Sequence, residues 1–128
     1  MAQYADIVEI VAPSQASPGD PVSITVKVKN LYSATVGIMV AGALEYGVTP
    51  WPGISFPVSS ANVSGGATYS FNGNFTMPDK AVTVHAYSYW YGADGYWHYD
   101  DEMAKTVNLV EVPDSEFGSI EIVSYQRR

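Results

Sequence analysis

A chain of 128 residues and 13.8 kDa is one domain by size and buries enough surface to fold without a disulfide or a metal. Its composition, 47% hydrophobic and 15% charged, lies outside the weakly hydrophobic, highly charged regime of disordered chains. Thirteen acidic residues against six basic ones give a net charge of −7, which argues against sequence-independent nucleic-acid binding and against docking on anionic lipid, and the absence of cysteine excludes thiol catalysis, thiolate metal sites and disulfide stapling.

The first residues, Met1-Ala2-Gln3-Tyr4-Ala5-Asp6, hold no basic segment followed by an apolar one, so no signal peptide is expected there. A short strand is expected over Asp6 to Ala12, with Ile7, Val8, Ile10 and Val11 as its apolar content. Ala16-Ser17-Pro18-Gly19-Asp20 reads as a turn, because Pro18 presets φ at one corner and Gly19 supplies a positive φ at the next. Pro21 to Asn30 alternates strictly, with Val22, Ile24, Val26 and Val28 on one face and Ser23, Thr25, Lys27 and Lys29 on the other, the pattern of a half-buried strand.

Thr35 to Leu44 reads as a strand buried on both sides, too short and too glycine-containing to span a bilayer, whose Gly37, Ala41, Gly42 and Ala43 suggest close approach of another backbone. Tyr46 to Pro57 reads as a loop or broken strand, turned by Pro50-Trp51-Pro52-Gly53, and Asn62-Val63-Ser64-Gly65-Gly66 as a further turn. Ala67 to Met77 alternates through Tyr69, Phe71, Gly73 and Phe75 and is closed by Pro78-Asp79-Lys80.

Ala81 to Tyr91 places Val82, Val84 and Ala86 on one side and Thr83, His85, Tyr87, Tyr89 and Tyr91 on the other. Gly92-Ala93-Asp94-Gly95 is a hairpin signal with Gly95 suited to a left-handed position, and Tyr96 to Val110 is the return strand. After the linker Pro113-Asp114-Ser115, Ser119 to Tyr125 reads as one more short strand. It echoes Asp6 to Val11, and it is either the opening of a further domain, a free edge that pairs with a neighbouring subunit, or a chance likeness between two β segments.

No window repeats apolar residues at helical spacing. The expected fold is all-β: an antiparallel immunoglobulin-like sandwich of about seven or eight strands with Greek-key connections over residues 1–112, followed by the linker and terminal strand of 113–128. Register is set by the alternating valines, since a one-residue slip would expose them all.

Two stretches carry a resemblance. Ala12-Pro13-Ser14-Gln15-Ala16-Ser17-Pro18-Gly19-Asp20-Pro21-Val22-Ser23-Ile24-Thr25-Val26-Lys27-Val28-Lys29-Asn30 resembles the opening of CARDB-like and related immunoglobulin-like modules. Phe75 to Val84 is similar to a later strand pair of such modules, and the likeness spans roughly residues 8 to 112. It implies a typically non-catalytic domain of the kind found in cell-surface adhesins and in the virions of phages and archaeal viruses. The aromatic hairpin from Tyr87 to Tyr99 is not part of that common pattern.

That hairpin is the strongest local feature. Tyr87, Tyr89 and Tyr91 share one face of the first strand. On the second strand Trp97 and Tyr99 share a face, and Tyr96 and His98 take the opposite one. Across a hairpin such residues pair into an aromatic patch, which serves as a protein contact, as a stacking platform for sugar rings, or simply as a stiffener that covers the sheet. Asp94, Asp100, Asp101 and Glu102 cluster beside it without the Asp-x-Asp-x-Asp spacing of a calcium loop. Alternation sends Asp100 and Asp101 to opposite faces, so solvated edge charges that discourage aggregation are the expectation. His85 and His98, the two histidines, could face each other across the hairpin, yet a zinc site needs three or four ligands. No nucleophile elbow is present, the spacing of the acids leaves paired carboxylates for glycoside hydrolysis open but nothing in the chain signals a cleft of the depth catalysis needs, and the sequons at Asn62 and Asn74 are assigned no function.

The resulting expectation is a non-enzymatic structural or interaction module without a cofactor or metal. Its setting is a virion, as capsid decoration or tail, or a cell surface. Its partners are proteins, in the first place copies of itself in an oligomer or lattice, with no nucleic acid and no membrane insertion. The expected contact residues are Tyr87, Tyr89, Tyr91, Trp97, Tyr99 and Trp51, together with Ile120 and Ile122 of the terminal strand, which would add to a neighbour. The alternative is a carbohydrate-binding module using the same aromatics.

Overall fold

The computed structural model describes residues 2–110, which form eight strands and no helix. These are β1 (Ala5–Val11), β2 (Gln15–Ala16), β3 (Pro21–Asn30), β4 (Val36–Glu45), β5 (Ser60–Val63), β6 (Thr68–Thr76), β7 (Val82–Tyr91) and β8 (Trp97–Leu109). One sheet has the order β1-β3-β6 and the other β2-β8-β7-β4-β5. The sequence-based expectation of an all-β sandwich is met. The terminal strand over 119–125, with Ile120 and Ile122, lies outside the described residues, and among those described none forms a helix long and apolar enough to cross a membrane.

The alternating segments build the core. Val22, Ile24, Val26 and Val28 of β3 are all buried, and they face Ile38, Val40 and Leu44 of β4 and Val82, Val84 and Ala86 of β7. Each fully buried Val or Ile stabilises the sandwich by about 1.5–3 kcal/mol relative to exposure, so register follows from burial. β1 departs from plain alternation: its register with β3 shifts between Ile7 and Glu9, which buries Ile7 and Ile10 and leaves Val8 and Val11 exposed.

Two strands are absent from the sequence reading. Beyond Pro13 the chain leaves the β1 sheet, and Gln15 and Ala16 pair parallel to Asn108 and Leu109 at the end of β8. Proline has no amide hydrogen to continue the first ladder, so the strand breaks and resumes on the other sheet. Ser60 to Val63 forms β5 against Val36 to Met39, so Asn62 and Val63, expected in a turn, are strand residues and the turn follows them. The run is short and polar, and only Val63 is buried, which is why no pattern announced it.

The segment between β4 and β5 closes one side of the sandwich. Pro52 and Ile54 exchange backbone hydrogen bonds with Leu44 and Gly42, while Ser55 pairs with Asn74 of the opposite sheet. Phe56 thereby lies between the sheets, and a Cβ built on Gly73 would fall 2.7 Å from its ring. At Gly42 the close neighbours are mainly the Ile54 and Phe56 side chains, so the glycine that suggested backbone approach makes room chiefly for a ring and its neighbour.

A bulge in β8 overturns the expected placement of the hairpin acids. Ser88 pairs with Asp101 and Tyr89 with Tyr99, leaving Asp100 as the extra residue. The bulge adds one residue to the strand, so Asp100 and Asp101 both turn toward β1. Asp100 accepts hydrogen bonds from the backbone N–H groups of Gln3, Tyr4 and Ala5 at 2.7–2.8 Å, and Asp101 accepts one from Ile7 at 3.0 Å. They are ties between the two sheets rather than free edge charges.

Asp6 lies against the same cluster. Burial, and then the charge and hydrogen bond of Asp101, hold its carboxyl above the ordinary aspartate value, against the opposing pull of Lys29. A raised pKa means that the folded state prefers protonated Asp6. That contribution is full below the unfolded pKa and is lost as pH rises through the folded one. Asp6→Asn is therefore expected to unfold at higher urea than the parent at pH 7, with the difference shrinking as pH falls to 4. An Asn variant that is the less stable protein at pH 7 would contradict this.

Candidate interaction face

The outward residues of β7, namely Thr83, His85, Tyr87, Tyr89 and Tyr91, run along the middle of the five-stranded sheet. On one side their β4 partners are small or slender: Ala43 beside His85, Ala41 beside Tyr87 and Met39 beside Tyr89. On the other side β8 supplies Trp97 opposite Tyr91 and Tyr99 opposite Tyr89, and beyond the bulge Glu102 opposite Tyr87. Short β4 side chains leave Tyr87 and Tyr89 half-buried and Tyr91 exposed, and the bulge keeps Tyr99 and Glu102 on the same face.

The rings meet in two groups, Tyr91 with Trp97, and Tyr99 with both Tyr89 and Tyr87. Tyr91 and Trp97 have centroids 5.1 Å apart at 67°, Tyr89 and Tyr99 5.8 Å at 67°, and Tyr87 and Tyr99 6.4 Å at 55°. Cross-strand aromatic pairs in such geometry are worth about 0.5–1.5 kcal/mol each beyond their burial, so the patch also stiffens the hairpin. Tyr91, Trp97 and Tyr99 remain 49%, 39% and 56% exposed. Burial, and then Glu102, raise the Tyr87 phenol; burial followed by a hydrogen bond to Glu102 raises that of Tyr99, so both stay neutral at physiological pH. A groove of about 440 Å³ runs beside the first group, floored by Gly37 and bounded by Tyr91, Trp97 and Asn62.

The expected contact residues Tyr87, Tyr89, Tyr91, Trp97 and Tyr99 are thus brought together. Trp51 reaches the same face farther along, where its ring stacks on His85 at 4.6 Å and 19°. Antiparallel pairing of Gly53 with Ala43 folds the loop back over the sheet and puts Trp51 there. His85 Nε2 lies 2.8 Å from a Glu45 carboxylate oxygen.

The two histidines do not face each other. His85 is opposite Ala104, whereas His98 is opposite Trp90 near the hairpin turn. His98 stacks on Trp90 at 4.4 Å and hydrogen-bonds Asp94, whose carboxyl is held below its ordinary value by that bond first and by the Tyr96 N–H second. Among the described residues no three His, Asp or Glu side chains converge as metal ligands.

A second aromatic grouping escaped the sequence reading. Tyr4 from the N-terminal segment, Tyr32 from the β3–β4 loop and Trp90 from β7 meet at one end of the sandwich. They are far apart in the chain and share no spacing, so no motif could have announced them. Trp90 falls in the inward series of Val82, Val84 and Ala86, so alternation reads it as one more core position.

No family model matches the sequence, and no curated protein matches it. Solved structures do. The CARDB domain of PF1109 from Pyrococcus furiosus, solved with di-metal ions, superposes with a TM-score of 0.58 at 14% identity, covering 86% of this chain and 92% of that one. The alkylpurine DNA glycosylase AlkC of Pseudomonas fluorescens matches at 0.60 and 12% identity, and the sporulation control protein Spo0M of Bacillus subtilis at 0.54 and 17%. Those two matches cover 83% and 87% of this chain but only 30% and 51% of the longer proteins. At these identities the likeness is one of fold, and the fold is CARDB-like.

Proposed function

We propose that this chain is a non-catalytic interaction module, a building block of a virion or cell-surface assembly, which packs the aromatic face of its five-stranded sheet against further copies of itself. The supporting observation is the cluster Tyr87, Tyr89, Tyr91, Trp97 and Tyr99 on one sheet face, in which Tyr91, Trp97 and Tyr99 are exposed and Tyr87 and Tyr89 half-buried. Tyr and Trp dominate the energetics of protein interfaces, and uncovered apolar patches of this kind mark contact surfaces. Ring orientation favours a protein over a polysaccharide. Neighbouring rings are tilted by 55–67°, so they offer edges and corners that interdigitate with side chains rather than one flat platform for a row of sugars. The CARDB-like fold and the acidic surface are compatible with such a role.

Light scattering tests the proposal. The mass of the parent is expected to rise above 13.8 kDa as concentration increases. Replacing Trp97 and Tyr99 together with serine is expected to weaken association by roughly thirtyfold or more, the cost of losing one interface hot spot, with the circular dichroism unchanged. A parent that stays monomeric at every concentration overturns the proposal. Quenching of tryptophan fluorescence by a member of a glycan panel, lost in the same variant, would put carbohydrate in the partner's place.

A further inference from the structure

Beside the sheet face, with which it shares Tyr91 and Gly37, a cleft of about 660 Å³ opens at the end of the sandwich where the β3–β4 loop meets the β7–β8 turn. Its aromatic lining is Tyr4, Tyr32, Trp90 and Tyr91, and its size is that of a small-molecule site. The Tyr4 ring stands at 78° to Tyr32 with centroids 5.4 Å apart, and at 85° to Trp90 with centroids 4.8 Å apart. From these perpendicular rings we infer that the cleft is an aromatic cage for a small molecule carrying a quaternary ammonium group.

Rings at right angles cannot all stack on one flat ligand. They surround a compact, rounded group, and it is their electron-rich faces, not their positively polarised edges, that hold alkylated ammonium ions in aromatic cages. The lining supplies no Lys or Arg to repel a cation, and the chain as a whole carries a charge of −7. The one carboxylate on the neighbouring turn, Asp94, is already engaged by His98 and the Tyr96 N–H, so the ring faces carry the attraction for the cation. The walls are also held in place. Asp100 fixes the backbone at Gln3, Tyr4 and Ala5, and the His98–Asp94 pair backs Trp90 on its stacked side. Preorganised walls lower the ordering cost of binding.

The test titrates choline and its uncharged carbon isostere, 3,3-dimethylbutan-1-ol, while following the indole N–H signals of the three tryptophans by NMR. Choline is expected to shift the Trp90 signal saturably with a dissociation constant of about millimolar, and the isostere to bind at least about tenfold more weakly. Tyr32→Ala, in an exposed loop, is expected to weaken choline several-fold without changing the circular dichroism. Tyr99→Ser, on the sheet face, leaves binding unchanged, which separates this site from the interaction face. Equal affinity for the uncharged isostere, no saturation at about 100 mM choline, or a response confined to Trp51 or Trp97 would each overturn the inference.

Discussion

Replacing Asn30 with leucine is expected to cost about 3 kcal/mol, a large share of the roughly 5–15 kcal/mol that holds a domain of this size together. Asn30 is fully buried at the end of β3. Its Nδ2 donates to the carbonyls of Ala34 and Val63, each at 2.9 Å, and its Oδ1 accepts from the Tyr32 N–H at 2.8 Å. One side chain therefore ties the three-stranded sheet to β5 of the other and fixes the loop that carries Tyr32 and Thr35. Leucine fills similar space, so little cavity forms, but three backbone groups lose their partner and the Val63 carbonyl loses it in the interior. A buried unpaired group costs about 1–3 kcal/mol, and each of the other two, nearer to water, about 1 kcal/mol. At roughly 4 °C per kcal/mol the melting temperature falls by about 12 °C, which calorimetry reads directly. A fall of less than about 4 °C would mean that the network is not structural.

Gly73→Ala is expected to destabilise the sandwich by about 1–2 kcal/mol, although the same exchange in an open strand would help. The added methyl would sit 2.7, 2.9 and 3.1 Å from three atoms of the Phe56 ring. A ring cannot bend, and the segment carrying it is bonded to Gly42 on one sheet and to Asn74 on the other, so it cannot swing away cheaply. Overpacking of about 1–3 kcal/mol then outweighs the roughly 0.4–1 kcal/mol gained from a less flexible unfolded chain. Phe56→Leu in the same chain removes the clash, so the double variant is expected to be more stable than the sum of the single effects, a coupling of about 0.5 kcal/mol or more. Urea unfolding of the four proteins measures it, and a stabilising Gly73→Ala would show that the ring is not where the sheets place it.

Both predictions concern residues whose roles no sequence window displays. Asn30 falls in the inward series of Val22, Ile24, Val26 and Val28, so the alternation marks it as a polar residue at a core position but not which groups it pairs with, and Gly73 reads as one of several glycines. Each owes its importance to a partner across the sandwich. The same holds for the acids of the hairpin. Strict alternation puts Asp100 and Asp101 on opposite faces, and one extra residue between Tyr99 and Glu102 turns both toward β1. A bulge depends on how two strands match, which neither strand encodes alone.

What the amino-acid sequence by itself determined is everything that follows from neighbours two residues apart. The valines of β3 and β7 choose the buried side, Gly19 and Gly95 take the positive φ their turns require, and Tyr87, Tyr89 and Tyr91 share a face with Trp97 and Tyr99 across a short hairpin. Only the tertiary structure decided that β2 and β5 exist, that Trp51 lies over His85 while His98 lies under Trp90, and that Tyr4, Tyr32 and Trp90 enclose one cleft. Side-chain alternation is a property of the extended backbone and is written locally, whereas these placements depend on chain closure over tens of residues and on packing between two sheets, which no local period records.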